Sequence, residues 1–124
     1  MISHPSVLIV DNFDESREVL RTALERLGMR VLETMQATDG LVMARLHRPD
    51  LIVLDLEATA GGTEIAEEFA SVVENDGGTL LILGNSQPAA GPAGCEFMGK
   101  PYHYKPLILR IEQLLRQRCS RAAA

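Results

Sequence analysis

Val7-Leu8-Ile9-Val10-Asp11 and Leu51-Ile52-Val53-Leu54-Asp55 are the stretches whose reading decides the fold. Each is an unbroken aliphatic run that ends in an aspartate. A strand with one face in water alternates apolar and polar residues, whereas an unbroken run needs cover on both faces, as in a parallel sheet between two layers of helices. Thr79-Leu80-Leu81-Ile82-Leu83 repeats the pattern. Val31-Leu32, after Gly28, makes a shorter strand, and Tyr102-His103-Tyr104, ahead of Pro106, makes a fifth.

Helical periodicity fills the spaces between these runs. From residue 14 to 27 the apolar positions Val19, Leu20, Ala23, Leu24 and Leu27 share one face, with Asp14 as N-cap and Gly28 as the stop. A second helix starts at Thr38 or Asp39, carries Leu41, Val42, Ala44 and Leu46, and ends before Pro49. A third spans residues 63 to 74, with Ile65, Ala66, Phe69, Val72 and Val73 apolar, and stops at Asp76-Gly77-Gly78. The last follows Pro106 and turns Leu107, Ile108, Ile111, Leu114 and Leu115 inward. This alternation predicts an α/β fold with a doubly wound, five-stranded parallel sheet in the flavodoxin-like order 2-1-3-4-5. The rhythm breaks at residues 88 to 94, where two prolines and two glycines oppose a regular helix.

A chain of 124 residues is read as one domain over residues 1 to 124, with a core at 6 to 118 and a tail at 119 to 124. With 46% hydrophobic and 23% charged residues it lies outside the disordered regime. Seventeen acidic residues against twelve basic ones leave a net charge of −5, which argues against a nucleic-acid or anionic-membrane surface and favours small cations. No apolar run approaches the roughly 20 residues that span a bilayer, and the first residues lack a signal-peptide pattern, so a cytoplasmic location is expected. Cys95 and Cys119 read as free thiols, and His4, His47 and His103 share no ligand spacing.

In an open α/β sheet, ligands bind outside the carboxyl ends of the strands. Asp11 and Asp55 both occupy such ends, and adjacent first and third strands would make them converge. Asn12, Asp14 and Glu57 would stand at the rim, and Lys105 would reach the crevice from the end of the last strand. Clustered carboxylates repel unless a cation intervenes, and oxygen ligands suit Mg²⁺. A metal set of Asp11, Asp55 and Glu57 is the expectation, although Glu57 reads more readily as a solvated loop residue than as a ligand.

Three fragments in this order and spacing resemble the receiver domain of bacterial two-component response regulators. They are Val7-Leu8-Ile9-Val10-Asp11-Asn12 with Arg17, Pro49-Asp50-Leu51-Ile52-Val53-Leu54-Asp55, and Tyr102-His103-Tyr104-Lys105-Pro106. The resemblance implies that Asp55 is the phosphoacceptor, that Asp11 and Asn12 form the acidic pocket, and that Lys105 contacts the phosphoryl group, with a cis bond to Pro106. It further implies Mg²⁺ as cofactor, weakly bound, a histidine kinase or phosphotransfer protein as donor, and a downstream protein as target. No nucleic-acid or membrane partner is expected, and no enzymatic activity beyond self-catalysed phosphotransfer.

The chain departs from the pattern at several positions. Asn12 replaces the usual second acid and removes one charge from the metal pocket. The fourth strand ends at Gly84, where the family has a Ser or Thr hydroxyl, and Ser86 lies two residues on. Tyr102 takes the place of the switch aromatic, Thr59 stands where a proline is usual, and the family's fourth helix falls in the Pro/Gly stretch, which is expected to be degraded to loop. The alternative reading is a phosphorylation-independent pseudo-receiver acting as an interaction module. A flavin carrier on the same fold is disfavoured, because Asp11-Asn12-Phe13-Asp14 is acidic where a phosphate loop would be glycine-rich.

Overall fold

The computed structural model describes residues 4–58, 63–85 and 95–123. The five strands are β1 (Ser6–Val10), β2 (Arg30–Thr34), β3 (Leu51–Asp55), β4 (Thr79–Gly84) and β5 (Cys95–Gly99). The helices are α1 (Asp14–Arg26), α2 (Ala37–His47), α3 (Thr63–Asp76) and α4 (Tyr104–Ala123), with a single 3₁₀ turn at Leu56–Ala58. All strand pairs are parallel, in the order β2-β1-β3-β4-β5.

The sheet separates two cores, which is why β1, β3 and β4 carry no polar alternation. Leu8, Val10, Ile52, Leu54, Leu80 and Ile82 face α2 and α3. The intervening Val7, Ile9, Leu51, Val53, Leu81 and Leu83 face α1 and α4. Both sets are buried, so each strand spends successive residues on opposite hydrophobic layers.

Helix ends follow local chemistry. Gly28 takes φ +88° after α1, and the N–H groups of Gly28 and Met29 bond back to the Glu25 and Leu24 carbonyls, a Schellman closure that favours glycine. Phe13 rather than Asp14 is the N-cap of α1, and Asp14 lies in its first turn. Helix α2 starts earlier than the Thr38 or Asp39 expectation, capped by Gln36, because Ala37, Gly40, Leu41 and Ala44 form its buried face. Val42 and Leu46, two of the apolar residues this segment carries, are 61% and 73% exposed, and Val19 and Leu27 of the first helical segment are also exposed. The small buried residues allow close approach instead. A Cβ at Gly40 would lie 2.9 Å from Val10 Cγ2.

The last strand differs from expectation. It is Cys95–Gly99, paired to β4 from Leu80↔Cys95 to Gly84↔Gly99, and Tyr102-His103 connects it to α4. β5 is an edge strand, half-buried over Cys95–Met98 and mixed in composition, so it carries no apolar run. Glu96 on β5 is fastened to α4 by a two-pronged contact with Arg110. Helix α4 begins at Tyr104, two residues before Pro106, and a proline fits there because first-turn N–H groups have no intrahelical partner. Its backbone stays helical to Ala123, through the expected tail. The Pro/Gly stretch at 88 to 94, Thr59 and Ser86 lie outside the described residues.

Candidate phosphoacceptor site

The register Val10↔Leu54 sets the carboxyl ends of β1 and β3 side by side, so Asp11 and Asp55 meet at one edge of the sheet. Both are buried, at 5% and 2% exposure, where most of the chain's acids are not. Asp11 Oδ1 accepts the Phe13 N–H at 2.9 Å, and Asp55 Oδ1 accepts the Glu57 N–H at 3.0 Å. These Asx-type bonds hold both carboxylates back over the loops that follow their strands. Arg17 braces the β1 end by donating to the Asp11 carbonyl at 2.7 Å while pairing with Asp14 and Glu33.

The cation of the site is Lys100, which sequence reading missed. Its ammonium donates to Asp55 Oδ1 at 2.7 Å and lies 3.2 Å from Glu57 Oε2. Its backbone N–H bonds to the Gly84 carbonyl at 2.9 Å, so it follows directly on β5 beside β4. Lys105 was expected here, but it stands exposed in the first turn of α4, because the strand that delivers the lysine ends five residues earlier. The cis peptide is likewise Lys100-Pro101, not the bond before Pro106. The chain has two lysines, each followed by proline, and the one placed at the end of a strand paired to β4 is the one that reaches the carboxylates.

Glu57 turns toward β4 and β5. Its Oε1 accepts the Asn85 N–H at 2.9 Å, and its Oε2 faces Lys100. With both oxygens so engaged it does not join Asp11 and Asp55 as a third ligand, and among the described residues no group of three or more His, Cys, Asp or Glu is arranged to hold a metal ion. Asn12 is exposed at the rim. Gly84 ends β4 as expected, and a Cβ there would lie 3.3 Å from Leu56 Cδ1 and 3.6 Å from Phe97 Cε2. The aromatic ring beside Gly84 is therefore Phe97 of β5, whereas Tyr102 packs edge-on to Tyr104 with ring centroids 5.9 Å apart.

Burial pushes the Asp55 carboxyl up, Asp11 adds to the rise by its like charge, and the Lys100 contact opposes both without cancelling them. For Glu57 burial acts upward, but the Asn85 N–H and the Lys100 ammonium outweigh it and hold the carboxyl below its usual range. For Lys100 burial acts downward and is outweighed by Asp55 and Glu57, which keep the ammonium protonated. The Tyr102 phenol is pushed up to about 12 by burial, then by the charges of Asp11, Tyr104 and Asp55. Beside these groups opens a cavity of about 440 Å³ lined by Phe13, Ser16, Asp55, Asn85, Lys100 and Tyr102, among others.

Solved structures share this architecture. A CheY-like response regulator receiver domain protein from Methanospirillum hungatei JF-1 matches 96% of the chain and 99% of its own with a TM-score of 0.81 at 18% identity. The signal receiver domain of a LuxO repressor protein from Vibrio parahaemolyticus gives 0.80 at 14% identity over 97% and 96%. These define the class of fold.

Sequence relatives define the family. The polar-differentiation response regulator DivK of Brucella anthropi is 35% identical over 89% of the chain and 95% of its own length. The chain belongs to the response regulator receiver family. The KDP operon transcriptional regulatory protein KdpE of Escherichia coli K12 is 34% identical over 95% of the chain but only 54% of its own length. The chain thus spans about half the length of the first curated relatives it matches. No family model matches it. Among the described residues no helix is long and apolar enough to cross a membrane.

Proposed function

We propose that this receiver accepts a phosphoryl group on Asp55 in a two-component phosphorelay and passes the signal on by protein contact. The observation that carries this reading is the Asp55–Lys100 contact at 2.7 Å on the wall of an open cavity, with Asp11 on the neighbouring strand end. An Asp55 oxygen forms the new O–P bond as the P–N bond of a donor phosphohistidine breaks. The imidazole leaves with the bonding pair and takes a proton from solvent. Lys100, freed from the attacking carboxylate, stabilises the negative charge on the phosphoryl oxygens, and Asp55 is pre-aimed by the Glu57 N–H. A histidine kinase or phosphotransfer protein is the donor this chemistry needs.

The donor set suits Mg²⁺. Asp11 and Asp55 are two carboxylates on adjacent strand ends, where burial first and the like charge of Asp11 second push the Asp55 carboxyl up, and Mg²⁺ takes one or two carboxylates with waters completing its shell. When bound it would neutralise charge on the phosphoryl oxygens. Asn12 contributes no charge there, so weak affinity follows.

A phosphorylation-independent interaction module is the second reading, favoured by Gly84, which has no hydroxyl to draw toward a phosphoryl group. Backbone-amide NMR with Mg²⁺ and beryllofluoride, a phosphoryl mimic, separates the two. The phosphoacceptor reading expects saturable shifts at Asp55, Asn85 and Lys100. Unchanged spectra at millimolar Mg²⁺ would favour the second reading.

A further inference from the structure

The same site holds an anion of its own. Glu57 extends one carboxylate oxygen to the Asn85 N–H at 2.9 Å and the other to within 3.2 Å of the Lys100 ammonium. It is two-thirds buried, with a side-chain exposure of 33%, and its carboxyl is held below its ordinary range, the Asn85 bond being the larger favourable influence. Two donors immediately after β4 and β5 are therefore spanned by a planar oxyanion tethered two residues past Asp55. A phosphoryl group on Asp55 presents oxygens of the same charge, from the same strand end, toward the same ammonium.

We infer that Glu57 is a tethered competitor, occupying the anion positions of Asn85 N–H and Lys100 and yielding them when Asp55 is phosphorylated. The inference rests on the phosphoacceptor reading and adds to it a residue that sets how readily the site takes a phosphoryl group. Glu57 draws the β4 and β5 ends toward the 3₁₀ turn before any phosphate arrives. In this role it supplies part of the inward pull that a Ser or Thr hydroxyl at Gly84 would otherwise exert only after phosphorylation. Phosphorylation then exchanges one anion for another at these donors.

The test compares the whole chain with Glu57→Ala, Glu57→Gln and Glu57→Asp by beryllofluoride titration with Mg²⁺ and by Asn85 amide exchange without ligand. Alanine removes the carboxylate, glutamine keeps the shape without the charge, and aspartate keeps the charge on a stem one methylene too short to span both donors. Competition predicts that the alanine and aspartate variants bind beryllofluoride at least about tenfold more tightly than the parent. It also predicts faster Asn85 exchange in both, with glutamine between them and the parent. Equal or weaker affinity in the alanine variant overturns the inference, as does an aspartate variant that behaves like the parent, since charge alone would then explain any gain. If no chain binds beryllofluoride, the phosphoacceptor reading fails. In that case faster Asn85 exchange in both variants still supports the Glu57 contact, and unchanged exchange overturns it.

Discussion

Asp55 and Lys100 face each other at 2.7 Å where burial disfavours the charge of each. Their pairing holds a carboxylate and an ammonium together in one wall of the cavity. Asp11 and Asp55 were legible in the sequence because each ends an unbroken strand run, and pairing of those strands forces them together. Lys100 was not legible, since two Lys-Pro pairs competed and only strand pairing to β4 decides between them. The Tyr102 phenol ionises at a higher pH in the folded chain than in the unfolded one. Below pH ~10 neither folded nor unfolded tyrosine ionises, so the group contributes no pH dependence. Between there and about 12 the unfolded chain releases a proton that the folded phenol keeps, and stability falls as pH rises. Tyr102→Phe is expected to flatten the loss of urea midpoint across that window, and an unaltered alkaline slope would contradict the assignment.

At the scale of elements, β1, β3, β4 and the starts of α1 and α3 followed from apolar runs and periodicity. The β5 edge did not, because half-buried Cys95, Glu96, Phe97 and Met98 carry neither an apolar run nor a clean alternation. Helix α2 misled for a different reason. Its close contact with the sheet is made through Ala37, Gly40 and Ala44 beside Leu41, while the apolar Val42 and Leu46 lie outside. Gly40→Ala measures that closeness. The new methyl would sit 2.9 Å from Val10 Cγ2 and 3.1 Å from Phe69 Cζ, and overpacking of ~1–3 kcal/mol outweighs a helix-propensity gain of at most ~1 kcal/mol. A fall in Tm of roughly 3–6 °C is expected by calorimetry. A rise would mean that the helix stands further from the sheet.

For the molecule as a whole, one sheet joins two cores, and each strand contributes to both. Neither layer of helices can be lost without exposing half of every central strand, so unfolding is expected to be a single transition. Phe69→Ala in one core and Leu107→Ala in the other should each cost about 2–5 kcal/mol and shift the same transition, followed by far-ultraviolet circular dichroism and by calorimetry. Separate transitions for the two variants would show that the layers fold independently. The net charge of −5 finds part of its place here too, since Asp11, Asp55 and Glu57 gather at one end of the sheet, where Lys100 pairs with Asp55 and Glu57.

Phosphoryl uptake on Asp55 is the event that the proposed relay depends on. Incubating the chain with acetyl phosphate and Mg²⁺, then locating the modification by peptide mass spectrometry, addresses it most directly. The expected result is a mass gain of one phosphoryl group on the peptide containing Asp55, absent from Asp55→Asn and reduced at least about tenfold in Lys100→Ala. No gain on the folded parent chain, or an undiminished gain in Asp55→Asn, would show that Asp55 is not the phosphoacceptor.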